Sequence, residues 1–353
     1  MNKEELNKIP FFFIIGRPRS GTTLLSTLFD AHPNVIIPFE SPIIMNLHQK
    51  YHRITSLDAS KIDEIIIDLK KIKKLSRWNI DETVLRSNLQ NIGKQANFDA
   101  IIKAIYLSFQ SFFPKEKIQL FGDKNPVYSL YFKKIFNVLP NAKYIHLIRD
   151  YRDNILSVKK LDFEAPLTSI IAFRWKFSNK KVLNVSKRFP ENFYFIRYED
   201  LISNPETELK KICAFLGIEF NSSVLNFHEI TKVRIINYSN EEVETFMRFH
   251  SNLLKPINTS KSGVWKNEMK LRDLKISESI AGKWAEQFNY PLKHSRISLG
   301  YKLLSLPSVL YVRISYHLFF INQLLPPKIR QFISQRGPLL AQLITKIVNR
   351  KNA

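Results

Sequence analysis

The chain has 353 residues, 44% of them hydrophobic, enough for one large domain with or without an extension and too apolar for long disorder. Its 54 Lys and Arg against 31 Asp and Glu leave a formal charge of +23, which calls for anionic partners. The single cysteine, Cys213, excludes an intramolecular disulfide; it falls in an amphipathic helical pattern over 209–216 that reads as core. There is no zinc-ligand spacing and no aromatic RNA-reading motif, so nucleic acid is not an expected partner. Residues 1–10 do not read as a secretory leader, and no run of about 18 uncharged apolar residues predicts a spanning helix. Cytoplasmic residence is then the default expectation.

In chain order, the apolar run 11–15 predicts a buried strand, followed by a tight basic loop and the start of a helix. Residues from about 41 to 114 read as mostly helical, an insertion shaping the acceptor side, with a basic run at 70–74 that reads as a solvated helix face. Further buried strands are predicted at 118–121, 144–148 and 193–197, alternating with helices over 127–138, 152–160, 169–188 and 205–216. That alternation predicts an α/β fold: a parallel sheet flanked by helices, with function at the carboxyl ends of the strands. Gly16, Gly122, Arg149 and Tyr198 all fall at or just past such ends. After Pro291 the chain turns basic, with ten Lys and Arg and no acid, and residues 339–348 carry an apolar stripe. This divides the chain into a domain at 1–290 and a basic amphipathic helical extension at 291–353. The extension suits an anionic membrane surface, or packs on the domain.

The loop carries the most information. A strand, a glycine-containing turn and a helix start present backbone N–H groups and a positive helix end to an anion. Gly16 and Gly21 have the spacing of the phosphate loop of nucleotide hydrolases, but Thr22 stands where that loop has its lysine, and the cation is Arg19. Such a loop is poorly equipped to grip the outer phosphates of a triphosphate. It can still hold a 5′-phosphate with another leaving group.

With Arg19-Ser20-Gly21-Thr22-Thr23-Leu24 as its phosphosulfate loop, the chain resembles the sulfotransferases that use 3′-phosphoadenosine 5′-phosphosulfate (PAPS). Asp30-Ala31-His32-Pro33-Asn34-Val35 is similar to the tyrosylprotein branch and its bacterial relatives. Arg149 and Ser157 have the family's spacing for the 3′-phosphate, and Tyr198-Glu199-Asp200-Leu201 is a third match. The resemblance covers roughly 10–290. It implies that Arg19 and the amides of Ser20, Gly21, Thr22 and Thr23 hold the 5′-phosphate, that Arg149 and Ser157 hold the 3′-phosphate, and that Tyr198 lies near the cofactor. Glu40 is the implied general base; Phe39 and the two flanking prolines can strip water from its carboxylate. Lys124, in Gly122-Asp123-Lys124-Asn125-Pro126, is the implied second cation, with Asp123 placed to orient it. The segment 255–266 resembles the loop closing over the 3′-phosphate and adenine, with Ser260 or Ser262 as a donor to the phosphosulfate and Lys261 and Lys266 as partners of the 3′-phosphate. His228 and His250 are rival bases, while His32 reads as support for the turn before Pro33. The branch's further arginine is Leu161 here, leaving Lys159 or Lys160 as substitutes.

No metal-ligand cluster is read, and sulfuryl transfer requires none. The expected acceptor is a hydroxyl on a glycan or glycolipid, with protein tyrosine as the alternative. A phosphate-loop kinase and a non-catalytic anion- or membrane-binding protein are the readings outside this class.

Overall fold

The computed structural model describes residues 1–72, 75–130, 132–161, 164–235, 240–294 and 298–325. The chain divides into two compact units, one of residues 1–149 and 178–262, the other of 150–177 and 263 onward.

The first unit is built on a five-stranded sheet ordered β2-β3-β1-β4-β5, all parallel: β1 Phe11–Gly16, β2 Val35–Ile36, β3 Leu120–Lys124, β4 Lys143–Ile148 and β5 Phe193–Arg197. β1 is buried along its whole length, as a central parallel strand covered on both faces must be. Its side chains alternate between two cores. Phe11, Phe13 and Ile15 join one, with the insertion and the stacked pair Phe13 and Tyr144 at 5.3 Å. Phe12 and Ile14 join the other, with helix Pro205–Leu216. Gly122 is required beside β1: a Cβ there would meet the Phe12 ring at 2.4 Å. Cys213 is buried in the second core, and burial pushes its thiol up to about 11, consistent with a packing role.

β3 differs from its expected span. It runs on through Gly122 and Asp123 to Lys124 because those residues pair with β1 (Phe13 with Asp123, Ile14 with Lys124), whereas an apolar-run reading stops at the first charge. Lys124 is therefore the last residue of a strand. The helix expected over 127–138 is a 3-10 turn, Pro126–Ser129, and then an α-helix, Phe132–Val138.

The insertion is helical as expected, with helices Ile43–Tyr51, Ala59–Lys70, Glu82–Asn91 and Phe98–Leu107. Trp78 is buried among them and donates to the Phe39 carbonyl at 2.7 Å. In the basic run, Lys70 pairs with Glu82 and Lys71 with Asp68, as a solvated helix face does; Lys73 and Lys74 lie outside the described residues.

In the second unit, helix Tyr151–Lys159 is capped by Asp150, which accepts from the Arg152 amide at 2.9 Å and ion-pairs with its guanidinium. Asp153 accepts from the amides of Gly263 and Trp265 at 2.7 and 2.8 Å, and Arg152 stacks on Trp265 at 3.7 Å. Trp175 packs on Tyr151 and Trp284. The last described element of the unit is helix Leu299–Leu324, which contains Pro307. Although Lys302 and Arg313 interrupt its apolar sequence, this helix is long and apolar enough to cross a membrane by length and composition. This corrects the expectation that the chain holds no such helix. The stripe at 339–348 lies outside the described residues.

Candidate active site

The loop leaves β1 at Gly16 and enters helix Thr22–Asp30 at Gly21. Ser20 is fully buried, its amide donating to the Arg17 carbonyl at 3.1 Å, and Arg19 takes a left-handed backbone (φ 69°). Gly21 is left-handed too (φ 93°) and lies under Tyr198, where a Cβ would come within 2.4 Å of the ring. Gly21→Ala should therefore strain the turn and push on Tyr198, costing roughly 1–3 kcal/mol. A urea midpoint equal to wild type would remove this account.

The first Arg19 guanidinium nitrogen, Nη1, donates to the Phe249 carbonyl at 3.1 Å. Burial, then the neighbouring charge of Arg149, hold its pKa below the usual value. Arg149 follows β4 and reaches back to the loop, donating to the Arg19 carbonyl at 2.9 Å and to the Lys261 carbonyl at 2.5 Å. Its guanidinium lies 4.7 Å from the Tyr198 ring centre. Three of the matched segments, the loop, the end of β4 and the start of helix Tyr198–Ser203, thus meet in one place.

At the helix end of the loop, Lys124 Nζ lies 3.2 Å from Glu40 Oε2 and 3.4 Å from Thr23 Oγ1. Lys124 is nearly buried, and Glu40 keeps 29% of its side chain exposed. The backbone before Glu40 is fixed by the Trp78 bond to Phe39 and by the edge-on contact of Phe39 with Phe109. The Lys124 ammonium stands beside this carboxylate, in addition to the apolar flanks expected from sequence.

Asp123 does not bond Lys124. Successive strand residues point to opposite faces, and Asp123 instead accepts from Tyr106 at 2.7 Å and Tyr128 at 3.3 Å. Burial lifts its carboxyl to about 7. An unfolded aspartic acid loses its proton near 3.8, so the folded state holds the extra proton between about 4 and 7 and is destabilised as pH rises through that window. Asp123→Asn should gain stability relative to wild type over the same rise. Parallel urea-stability curves at pH 4 and pH 7 would contradict it.

His250, one of the rival bases, lies in this neighbourhood: burial, then Lys124 and Arg19, lower it to about 4, opposed by Glu40. It is neutral at pH 7. His228 pairs with Glu229, and His32 donates from Nε2 to the Glu219 carbonyl while Nδ1 accepts the Asn34 amide, the turn support expected of it. Ser260 bonds Asn258, and the Lys261 side chain is exposed while its carbonyl meets Arg149. Arg17 is buried. In the second unit, Ser157 sits on helix Tyr151–Lys159 and Lys266 on Trp265–Glu268. Lys159 and Lys160 are ion-paired with Asp273 and Glu268. Among the described residues no group of acids, histidines and cysteine could hold a metal ion.

Sequence reasoning missed the Phe249 carbonyl, the Trp78 anchor and the two tyrosines on Asp123. Backbone acceptors such as the Phe249 and Phe39 carbonyls have no sequence signature, and the two tyrosines reach Asp123 from 17 and 5 positions away with no motif to mark them.

Residues 10–222 match the family described as "Sulfotransferase family". Protein-tyrosine sulfotransferase A of Caenorhabditis elegans is 29% identical over 273 residues, 70% of this chain and 59% of that protein, so this chain spans about three fifths of that relative's length. Protein-tyrosine sulfotransferase 1 of Danio rerio is 24% identical over 280 residues, 76% of this chain and 70% of that protein. The solved sulfotransferase domain of the Synechococcus PCC 7002 olefin synthase shares the fold: TM-score 0.53 and 23% identity over 80% of this chain and 95% of that one. The family match covers more than half of the chain and includes the loop, Glu40, Lys124, Arg149 and Tyr198, and the chain belongs to the sulfotransferase family.

Proposed function

We propose that this protein is an enzyme that transfers a sulfuryl group from PAPS to an acceptor hydroxyl. The observation that carries the reading is the meeting of Lys124, Glu40 and Thr23 at the helix end of a loop whose backbone is also bound by Arg149. The donor set fits a doubly phosphorylated adenosine: buried guanidinium groups, a buried ammonium and the amides of a helix start. Arg19 and the amides of Ser20, Gly21, Thr22 and Thr23 hold the 5′-phosphate. The acceptor oxygen attacks sulfur, the bond from sulfur to the phosphate oxygen breaks, and Glu40 takes the hydroxyl proton. Lys124 opposes the charge that grows during transfer. Arg149 and Tyr198 serve the 3′-phosphate end, to which the family resemblance adds Lys261, while Ser260 donates to the phosphosulfate.

Two acceptor classes are supported, each by a different observation. The names of the relatives support a protein tyrosine. The acid-free basic extension supports a glycan or glycolipid at an anionic surface. Incubating cell fractions (protein, polysaccharide, lipid) with labelled donor separates them by where the label goes. Arg149→Ala should weaken adenosine 3′,5′-bisphosphate binding by about tenfold or more, because it removes a charged fork from a phosphate. Unchanged affinity by calorimetry would take Arg149 out of the site. Stabilisation by ATP and magnesium alone would favour a kinase instead, a reading that Thr22 in the lysine position opposes.

A further inference from the structure

Helix Leu299–Leu324 has two unlike faces. One is docked within its own unit: Val312 is fully buried, Tyr316 stacks on Phe177 at 4.6 Å, and the Ser308 hydroxyl donates to the Ser169 hydroxyl at 2.6 Å. Leu303, Leu306, Leu310, Ile314, Leu318 and Ile321 form the other, spaced three or four residues apart and each more than half exposed. A helix of this length is about 39 Å long, so this is a continuous apolar strip, well beyond the scattered apolar residues of an ordinary surface. Lys302 and Arg313 are exposed on the same helix, and no Asp or Glu follows Glu286 anywhere in the chain.

We propose that this face lies flat in the surface of an anionic lipid bilayer and holds the protein there as a peripheral membrane protein. Two features select this occupant. The charge that accompanies the apolar strip is of one sign only, which matches anionic headgroups; two copies of such a surface would repel each other. The docked face rules against crossing: a helix with Val312, Tyr316 and Ser308 packed on its own unit cannot be surrounded by lipid, so its length and composition serve an in-plane position instead. Lys302 and Arg313 reach the headgroups from their aliphatic stems.

The test is flotation of the full chain with vesicles of phosphatidylcholine alone or mixed with phosphatidylserine. Wild type should float with the mixed vesicles and release at high salt. Leu310→Asp/Ile314→Asp should lower the partition coefficient by more than about tenfold, with a circular dichroism melt matching wild type. Should that variant fail to fold, Lys302→Gln/Arg313→Gln should reduce binding to the mixed vesicles selectively. Three results would overturn the proposal: wild type left unbound by the mixed vesicles, both folded variants floating as well as wild type, or a lipid-free dimer that Leu310→Asp/Ile314→Asp converts to monomer, which would assign the face to a second copy.

Discussion

Glu40→Gln is expected to slow sulfuryl transfer by about 10²–10⁴-fold, the usual worth of a positioned general base. The substitution keeps size and shape, so the Trp78 anchor on the Phe39 carbonyl and the Phe109 contact remain. It removes the proton acceptor and leaves an amide that can still accept a hydrogen bond from Lys124. Binding of adenosine 3′,5′-bisphosphate should therefore hold within about twofold, and the loss should lie in kcat. The measurement is single-turnover transfer from labelled donor to the acceptor fraction identified by labelling, beside calorimetry with the bisphosphate. Transfer at the wild-type rate would strip Glu40 of the base role and move attention to His250, which is neutral at pH 7 and feels Lys124, Arg19 and Glu40.

Lys124→Met is the second large effect, expected to cost about 10²–10³-fold in turnover as a lost charge stabiliser. Its ammonium is held between Glu40 and Thr23 at the end of a central strand, so little reorganisation is needed when charge develops nearby. Removing it also leaves Glu40 without that partner. The single substitutions should then fail to add: Glu40→Gln/Lys124→Met should lose less than the product of the two separate losses, because the groups act as a unit. Strict additivity would mean that they work independently, and the 3.2 Å contact between them would have no part in turnover.

The strand, loop and helix at 11–30 were legible because a fully buried parallel strand writes itself as an unbroken apolar run, and Arg19 and Gly21 sit at fixed offsets from it. β5 and helix Pro205–Leu216 match their expected spans for the same local reasons. β2 is two residues long, too short to leave a pattern. The apolar run 118–121 leaves Lys124 beyond a strand, because strand pairing with Ile14 is a long-range fact that one segment cannot express. The pairing of Glu40 with Lys124 joins residues 84 positions apart, and the bond from Arg19 to Phe249 joins residues 230 apart through a carbonyl that any residue would supply. Side chains at fixed local spacing could be found; distant backbone partners could not.

The indole of Trp78 has a consequence for how this protein can change. It ties the helices of the insertion, proposed to face the acceptor, to the backbone one residue before the proposed base. Mutational drift across the outer surface of those helices leaves that tether intact, so new acceptors can be explored while the reactive carboxylate keeps its address. Loss of the tether would instead loosen the chemistry for every acceptor at once. Selection can thus rewrite what is modified more freely than whether anything is.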